Sequence, residues 1–243
     1  MERELDVRLI LKKEELDEGR VDETNVAVVL DVLLATTTIA ACLEAGAAEV
    51  IPCMDGEDAR GRSAGTENGC LAGEYMGKTI DGFLDPLPGQ LSEQVEGRPV
   101  FLATTNGTVA IKKASDAKKV WMASLLNGRA VAEKVFAEYE GETILVICSG
   151  SGGGFSLEDF FGAGLFISEL LRLAGNGGQN LPDSAAGAVL FYEAYRGNAE
   201  KVFSRSAVGK GMAGIGLQDE LRFAAREGVL AAAPYLSDGK VII

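Results

Sequence analysis

The sequence predicts an α/β protein, a three-layer α/β/α sandwich built around a mainly parallel sheet. Three observations predict it. Short β-rich runs alternate with helix-like segments along most of the chain. Those runs are apolar throughout rather than at every second residue, as strands covered on both faces must be. Acidic or small hydroxyl residues follow several of them directly, where the carboxyl ends of strands would lie and where open α/β sheets bind ligands.

The first clear strand is Val26–Leu30. It leads through Asp31 and three threonines into an Ala-rich helix that starts near Thr36 and stops near Gly46, and Glu49–Cys53 is the next strand. From about Gly56 to Gly97 the chain holds most of its prolines and little periodicity, and reads as loops. The alternation resumes with a strand at Pro99–Ala103, a turn at Thr104–Thr108, a short helix at Val109–Ser115 and a strand at Lys119–Ala123. A helix over Asn127–Tyr139 carries Val131, Val135 and Tyr139 on one face, four residues apart. Thr143–Cys148 is the strongest strand, and Gly150–Gly154 a loop. Ser156–Leu173 is a long helix with Ser156 as its N-cap and Asp159 three residues on. Beyond the glycine-rich link at 175–178 the pattern is helical to about Glu227, and Val229–Ile243 is a hairpin around Asp238-Gly239.

At 243 residues the chain suits a single α/β domain over 1–243, with 176–243 as a mainly helical C-terminal appendage ending in the hairpin. Its 47% hydrophobic content excludes a disordered chain. A net charge of −13, with no basic run, makes nucleic acid and anionic membranes poor partners. There is no histidine at all, which removes Ser-His-Asp hydrolases, histidine-nucleophile phosphatases and His-ligated zinc. Acid–base chemistry is left to carboxylates, Lys, Tyr or Cys. Cys42, Cys53, Cys70 and Cys148 form no C-x-x-C pair and read as small buried thiols of a reducing compartment. A cysteine phosphatase built on Cys148 would need an arginine six residues on, where Gly154 stands. The N-terminus lacks the basic start and apolar stretch of a signal peptide, and the apolar segment Val26–Leu43 is interrupted by Asp31. The expectation is a cytoplasmic protein, with a homo-oligomer compatible with the sequence.

Asp31 ends a buried strand, where a bare carboxylate is costly unless bound or capped. It either caps the following helix or, with Thr36, Thr37 and Thr38 beside it, helps hold a metal and a phosphate. Thr104-Thr-Asn-Gly-Thr108 is either a plain turn or a small anion cradle of hydroxyls and main-chain N–H groups. Glu158 and Asp159 complement the helix dipole and could equally serve as hard oxygen ligands or a proton-transfer carboxylate. The Gly150–Gly154 loop has the wrong spacing for a dinucleotide fingerprint, and Glu158 and Asp159 behind it would repel a pyrophosphate. Gly73-Glu-Tyr-Met-Gly-Lys-Thr79 falls one residue short of a P-loop.

Taken together, five segments resemble the 2-phosphosulfolactate phosphatase family of coenzyme M biosynthesis: residues 29–38, Leu71-Ala-Gly-Glu74, Ala103–Thr108, Ser124-Leu-Leu-Asn127 and Gly154–Phe160. The resemblance implies a Mg²⁺-dependent phosphoric monoester hydrolase acting on phosphate esters of small 2-hydroxy acids. It makes Asp31, Glu74 and Asp159 the catalytic and metal-binding carboxylates. It places the substrate, a small anionic phosphate ester, among Thr36, Thr104, Thr105, Asn106, Gly107, Thr108, Ser124, Asn127, Ser149, Gly150 and Ser156. Either a water attacks phosphorus or Asp31 forms an aspartyl-phosphate. The chain departs from the family pattern at Leu34, where an Arg is usual, at Tyr75, where Arg or Lys is usual, and at Ser206, where a histidine is common. Those losses support the alternative reading, a catalytically impaired paralogue that binds a small molecule or a protein.

Overall fold

A computed structural model describes residues 4–175 and 180–243. Ten strands form one sheet: β1 (Asp6–Ile10), β2 (Asn25–Leu30), β3 (Glu49–Cys53), β4 (Cys70–Tyr75), β5 (Lys78–Thr79), β6 (Pro99–Ala103), β7 (Lys119–Ala123), β8 (Thr143–Cys148), β9 (Tyr235–Ser237) and β10 (Lys240–Ile242). The helices are α1 (Ala35–Glu44), α2 (Gly56–Ser63), α3 (Pro88–Ser92), α4 (Gly107–Lys113), α5 (Gly128–Glu138), α6 (Leu157–Ala174), α7 (Asp183–Tyr195), α8 (Ala199–Phe203), α9 (Ala207–Gly214) and α10 (Gln218–Ala224). Strand order is β1-β8-β2-β7-β9-β10-β3-β6-β4-β5. The long strands pair in parallel, and the short β5, β9 and β10 supply the antiparallel pairings.

The continuous apolar runs are explained by burial on both faces. Along β2, Val26, Val28 and Leu30 enter a cluster shared with α5, α6 and α7, while Ala27 and Val29 face α1 and α4. Each fully buried Val or Leu here contributes about 1.5–3 kcal/mol. The α1/α4 cluster gathers side chains from β8, β2, β7, β10, β3, β6 and β4, so the sheet curls around it. That curl brings the carboxyl ends of distant strands together: Lys13, just past β1, reaches Asn106, just past β6, at 2.8 Å.

Three features differ from the sequence expectations. Residues 56–97 are not merely loops: they hold α2, β4, β5 and α3. Strand β1, an edge strand whose alternate residues are exposed, precedes the first expected one. The stretch expected as a helical appendage does supply α7 to α10, yet its hairpin lies inside the sheet, between β7 and β3. The hairpin turn is as expected, with Asp238 and Gly239 both at positive φ. Residues 176–178 of the expected glycine-rich link lie outside the described residues. Among the described residues no helix is long and apolar enough to cross a membrane.

Candidate active site

Asp31 leaves β2 into a loop that the three threonines hold in place. The Thr36 hydroxyl accepts from the Asp31 N–H and donates to the Asp31 carbonyl, both at 3.0 Å. The Thr37 hydroxyl donates to Val32 O at 2.8 Å, and that of Thr38 to Pro86 O at 2.7 Å. These hydroxyls are buried and serve the main chain, so Thr36 shapes the site rather than reaching into it. The Asp31 carboxylate is buried at the start of α1. It lies against Gly107, where an added Cβ would fall 2.6 Å from Oδ2 and 2.4 Å from the Ala35 Cβ.

Glu74, near the end of β4, binds the turn after β6. Its Oε1 accepts from Thr105 N at 2.7 Å, and its Oε2 from the Thr105 hydroxyl at 3.1 Å and Gly77 N at 2.7 Å. Thr104 and Thr108 cap one another, each hydroxyl accepting the other's N–H at 3.2 Å. Asn106 turns its Oδ1 to Lys13.

From the other side, Ser156 caps α6 by accepting from Asp159 N at 3.2 Å. Asp159 then ties two loops: Oδ1 accepts from Val32 N at 2.8 Å and Oδ2 from Gly150 N at 3.1 Å. Gly150, at φ +71°, has no room for a side chain between Gly154 O and Lys12. The first N–H of the glycine loop is thus taken by a protein carboxylate, and Lys12 Nζ donates to Gly153 O at 3.1 Å. Glu158, in the first turn of α6, is buried as well.

Three of these carboxylates, Asp31, Glu158 and Asp159, are buried, and Glu74 is half-buried at the neighbouring turn. Burial, then repulsion from Glu74 and Glu158, pushes Asp31 up to about 7, against the pull of the Ala35 N–H and Lys13. Burial, with Asp31 and Glu158 behind it, raises Asp159 well above the carboxylate range, and burial raises Glu158. Burial, reinforced by Asp159 and Glu158, also keeps the Cys148 thiol protonated.

Asp31, Glu74, Thr105, Asn106, Gly107, Gly150, Ser156 and Asp159 are thus linked through the same few loops. Ser149 joins them through its carbonyl, which accepts from Lys13 Nζ at 3.4 Å, while its buried hydroxyl has no hydrogen-bond partner among the described residues. Ser124 follows Ala123, which pairs with Leu30 beside Asp31, and Ser124 and Asn127 bond to each other rather than into this network. The Asn127 Oδ1 accepts from both the N–H and the hydroxyl of Ser124, and its Nδ2 donates to Met122 O and Ala232 O. That pair pins the C-terminal segment to β7. Sequence reasoning missed Lys13, which is buried although Lys12-Lys13-Glu14-Glu15 has the look of a solvated charge run.

Among the described residues, no three His, Cys, Asp or Glu side chains form a group that could hold a metal ion. Asp31, Glu74 and Asp159 are accordingly not a preformed cage, and Asp159 and Glu74 already accept main-chain N–H groups on both oxygens. Mg²⁺ makes a smaller demand, one or two carboxylates with water and substrate phosphate completing its shell. Carboxylate oxygens are the hard donors that ion takes.

The 2-phosphosulpholactate phosphatase family model matches residues 10–239. A probable 2-phosphosulfolactate phosphatase of Symbiobacterium thermophilum is 35% identical over 90% of this chain and 94% of its own. Probable 2-phosphosulfolactate phosphatases of Clostridium beijerinckii and Thermotoga maritima are 30% and 33% identical, covering 97% and 91% of this chain and 98% and 93% of theirs.

Proposed function

Because this chain belongs to the 2-phosphosulpholactate phosphatase family, and so to the phosphoric monoester hydrolases, we propose that it hydrolyses phosphate esters of small 2-hydroxy acids with Mg²⁺ at the Asp31 cluster. The observation that carries this reading is the buried Asp31 carboxylate at the carboxyl end of β2, packed against Gly107 at the start of α4, with the buried Asp159 bonded to the neighbouring Val32 N–H. Asp31 and Glu158 would hold Mg²⁺. When bound, the ion supplies charge neutralisation for the phosphate oxygens and lowers the pKa of a coordinated water.

The chain's own residues do the rest. Asp31 stands at the reacting centre, fixed by Thr36 on its main chain and by Gly107 packed against its carboxylate. Glu74 and Thr105 hold the β6 turn over that carboxylate, and Asp159 draws the Val32 and Gly150 loops together beneath it. Water is largely excluded, with Asp31, Glu158 and Asp159 all at most 6% exposed. In such a setting each charge interaction is far stronger than in water.

The test is release of inorganic phosphate from 2-phospholactate and related esters, with Mg²⁺ and with excess chelator. Turnover is expected only with the metal. Asp31→Asn is expected to lower kcat/KM by roughly 10²–10⁴-fold. Full activity in chelator would remove Mg²⁺ from the reading, and a loss of only severalfold in Asp31→Asn would reduce Asp31 to a helix cap.

A further inference from the structure

Lys13 carries a charge into the interior at a place where a purely structural residue need not be charged. It sits on the first 3₁₀ turn after β1, 7% exposed, and its ammonium has three partners. Two come from loops of the fold: Asn106 Oδ1 at 2.8 Å, from the half-buried β6 turn, and the buried Ser149 carbonyl at 3.4 Å, from the end of β8. The third is Glu14 Oε1 at 2.9 Å, on a side chain that is 41% exposed. The ammonium thus points at two rigid acceptors and one replaceable anion. Burial works against the charge on Glu14, yet the Lys13 hydrogen bond holds its pKa below the usual carboxylate value. Asn106 precedes Gly107, which lies against Asp31, so the clamp lies beside the reacting centre.

We propose that Lys13 binds the acid group of the substrate, a carboxylate or sulfonate, and that Glu14 occupies this position until the substrate displaces it. The inference rests on the phosphatase reading for the identity of the ester. Geometry supports the exchange. A lysine ammonium is a compact point charge able to take a single anionic oxygen on its third N–H while the other two keep it aimed. Glu14, adjacent in sequence and open to solvent, can swing out without disturbing β1 or the β6 turn. The unpartnered Ser149 hydroxyl belongs to the same residue whose carbonyl holds Lys13.

Two esters isolate the acid group: 2-phospholactate, and isopropyl phosphate, which has a methyl group in place of the carboxylate. The measured quantity is the ratio of kcat/KM for the first over the second, together with the ratio of their equilibrium affinities in chelator. In Glu14→Gln both ratios are expected to rise about tenfold, in KM rather than kcat, since a competing charge-assisted bond has been removed. In Lys13→Met they are expected to fall by ten- to a hundredfold, and Lys13→Arg should restore part of the preference. Ratios that stay the same in Glu14→Gln would overturn the proposal, as would a Lys13→Met variant that loses both esters equally. Glu14→Gln, an exposed change, decides the matter even if Lys13→Met does not fold. Should the wild type hydrolyse neither ester, the phosphatase reading fails. The affinity ratios still stand or fall with Lys13 and Glu14.

Discussion

At the scale of single residues, the site depends on what is missing at position 107 as much as on what is present at 31. A methyl group on Gly107 would overlap both Asp31 Oδ2 and the Ala35 Cβ, so α1 and α4 could not both keep their starts on this carboxylate. Alanine is otherwise a better helix residue than glycine, and on local propensity Gly107→Ala would stabilise α4. The expected outcome is the reverse, a loss of about 1–3 kcal/mol from overpacking and at least a tenfold drop in kcat/KM. A variant that melts at or above the wild-type temperature would show that the two helices can separate without harm. The residues that depart from the family pattern fit the same local view. Leu34 is half-buried and packs against the core shared with α6, and Tyr75 is 68% exposed. Neither supplies a positive charge, and Lys13 enters the site from another element altogether. No local pattern in the sequence marks Lys13, because its burial follows from where the curl of the sheet carries the end of β1.

At the scale of elements, the legible ones were those with buried apolar runs or a clear cap. Strands β3, β6, β7 and β8 have the boundaries that hydrophobicity implies, and Ser156 caps α6 through the Asp159 N–H as the sequence suggests. Helix α2 was hidden because only Ala59 is buried. It is held by charge instead, with Asp55 accepting from Glu57 N and Asp58 N and with Arg60 and Arg62 in its last turn. Strand β4 contains Gly73 and the polar Glu74 and does not read as a strand until β6 is beside it. The hairpin was visible, but not its place in the sheet, which depends on long-range pairing. Its position makes a prediction. Strands β9 and β10 bridge β7 to β3, so among the described residues the strand pairing between the two halves of the sheet runs through this hairpin. Deleting residues 235–243 is therefore expected to give protein without a cooperative melting transition, rather than a trimmed enzyme. Substituting Ser156 by Ala should cost only about 0.5–2 kcal/mol, as loss of one helix cap. A truncated chain that melts cooperatively near the wild-type temperature would show that the parallel halves hold together by their helices alone.

At the scale of the whole molecule, the buried carboxylates and the net charge of −13 act in the same direction as pH rises. Asp31, Glu158 and Asp159 all keep their protons to higher pH in the folded state than carboxylates ordinarily do, with Asp31 at about 7. The unfolded chain releases the same protons near pH 4. Between these limits the folded state binds more protons than the unfolded one, so stability without metal falls as pH rises from about 4 towards 7 and beyond. A divalent cation reverses this trend, because it binds the deprotonated carboxylates and its affinity grows as the competing protons leave. Melting temperatures measured in chelator are expected to decline from pH 5 to pH 8. With Mg²⁺ the decline should be shallower, and the gap between the two curves should widen with pH. Sodium chloride at matched ionic strength separates local from global effects, since it screens surface repulsion but cannot enter the Asp31 cluster as a divalent ligand. Asp31→Asn should flatten the chelator curve, having removed one buried titrating group, and should shrink the part of the Mg²⁺ effect that exceeds the salt control. Equal curves for Mg²⁺ and sodium chloride at every pH would mean that the cluster holds no divalent cation, and that protons alone neutralise Asp31, Glu158 and Asp159.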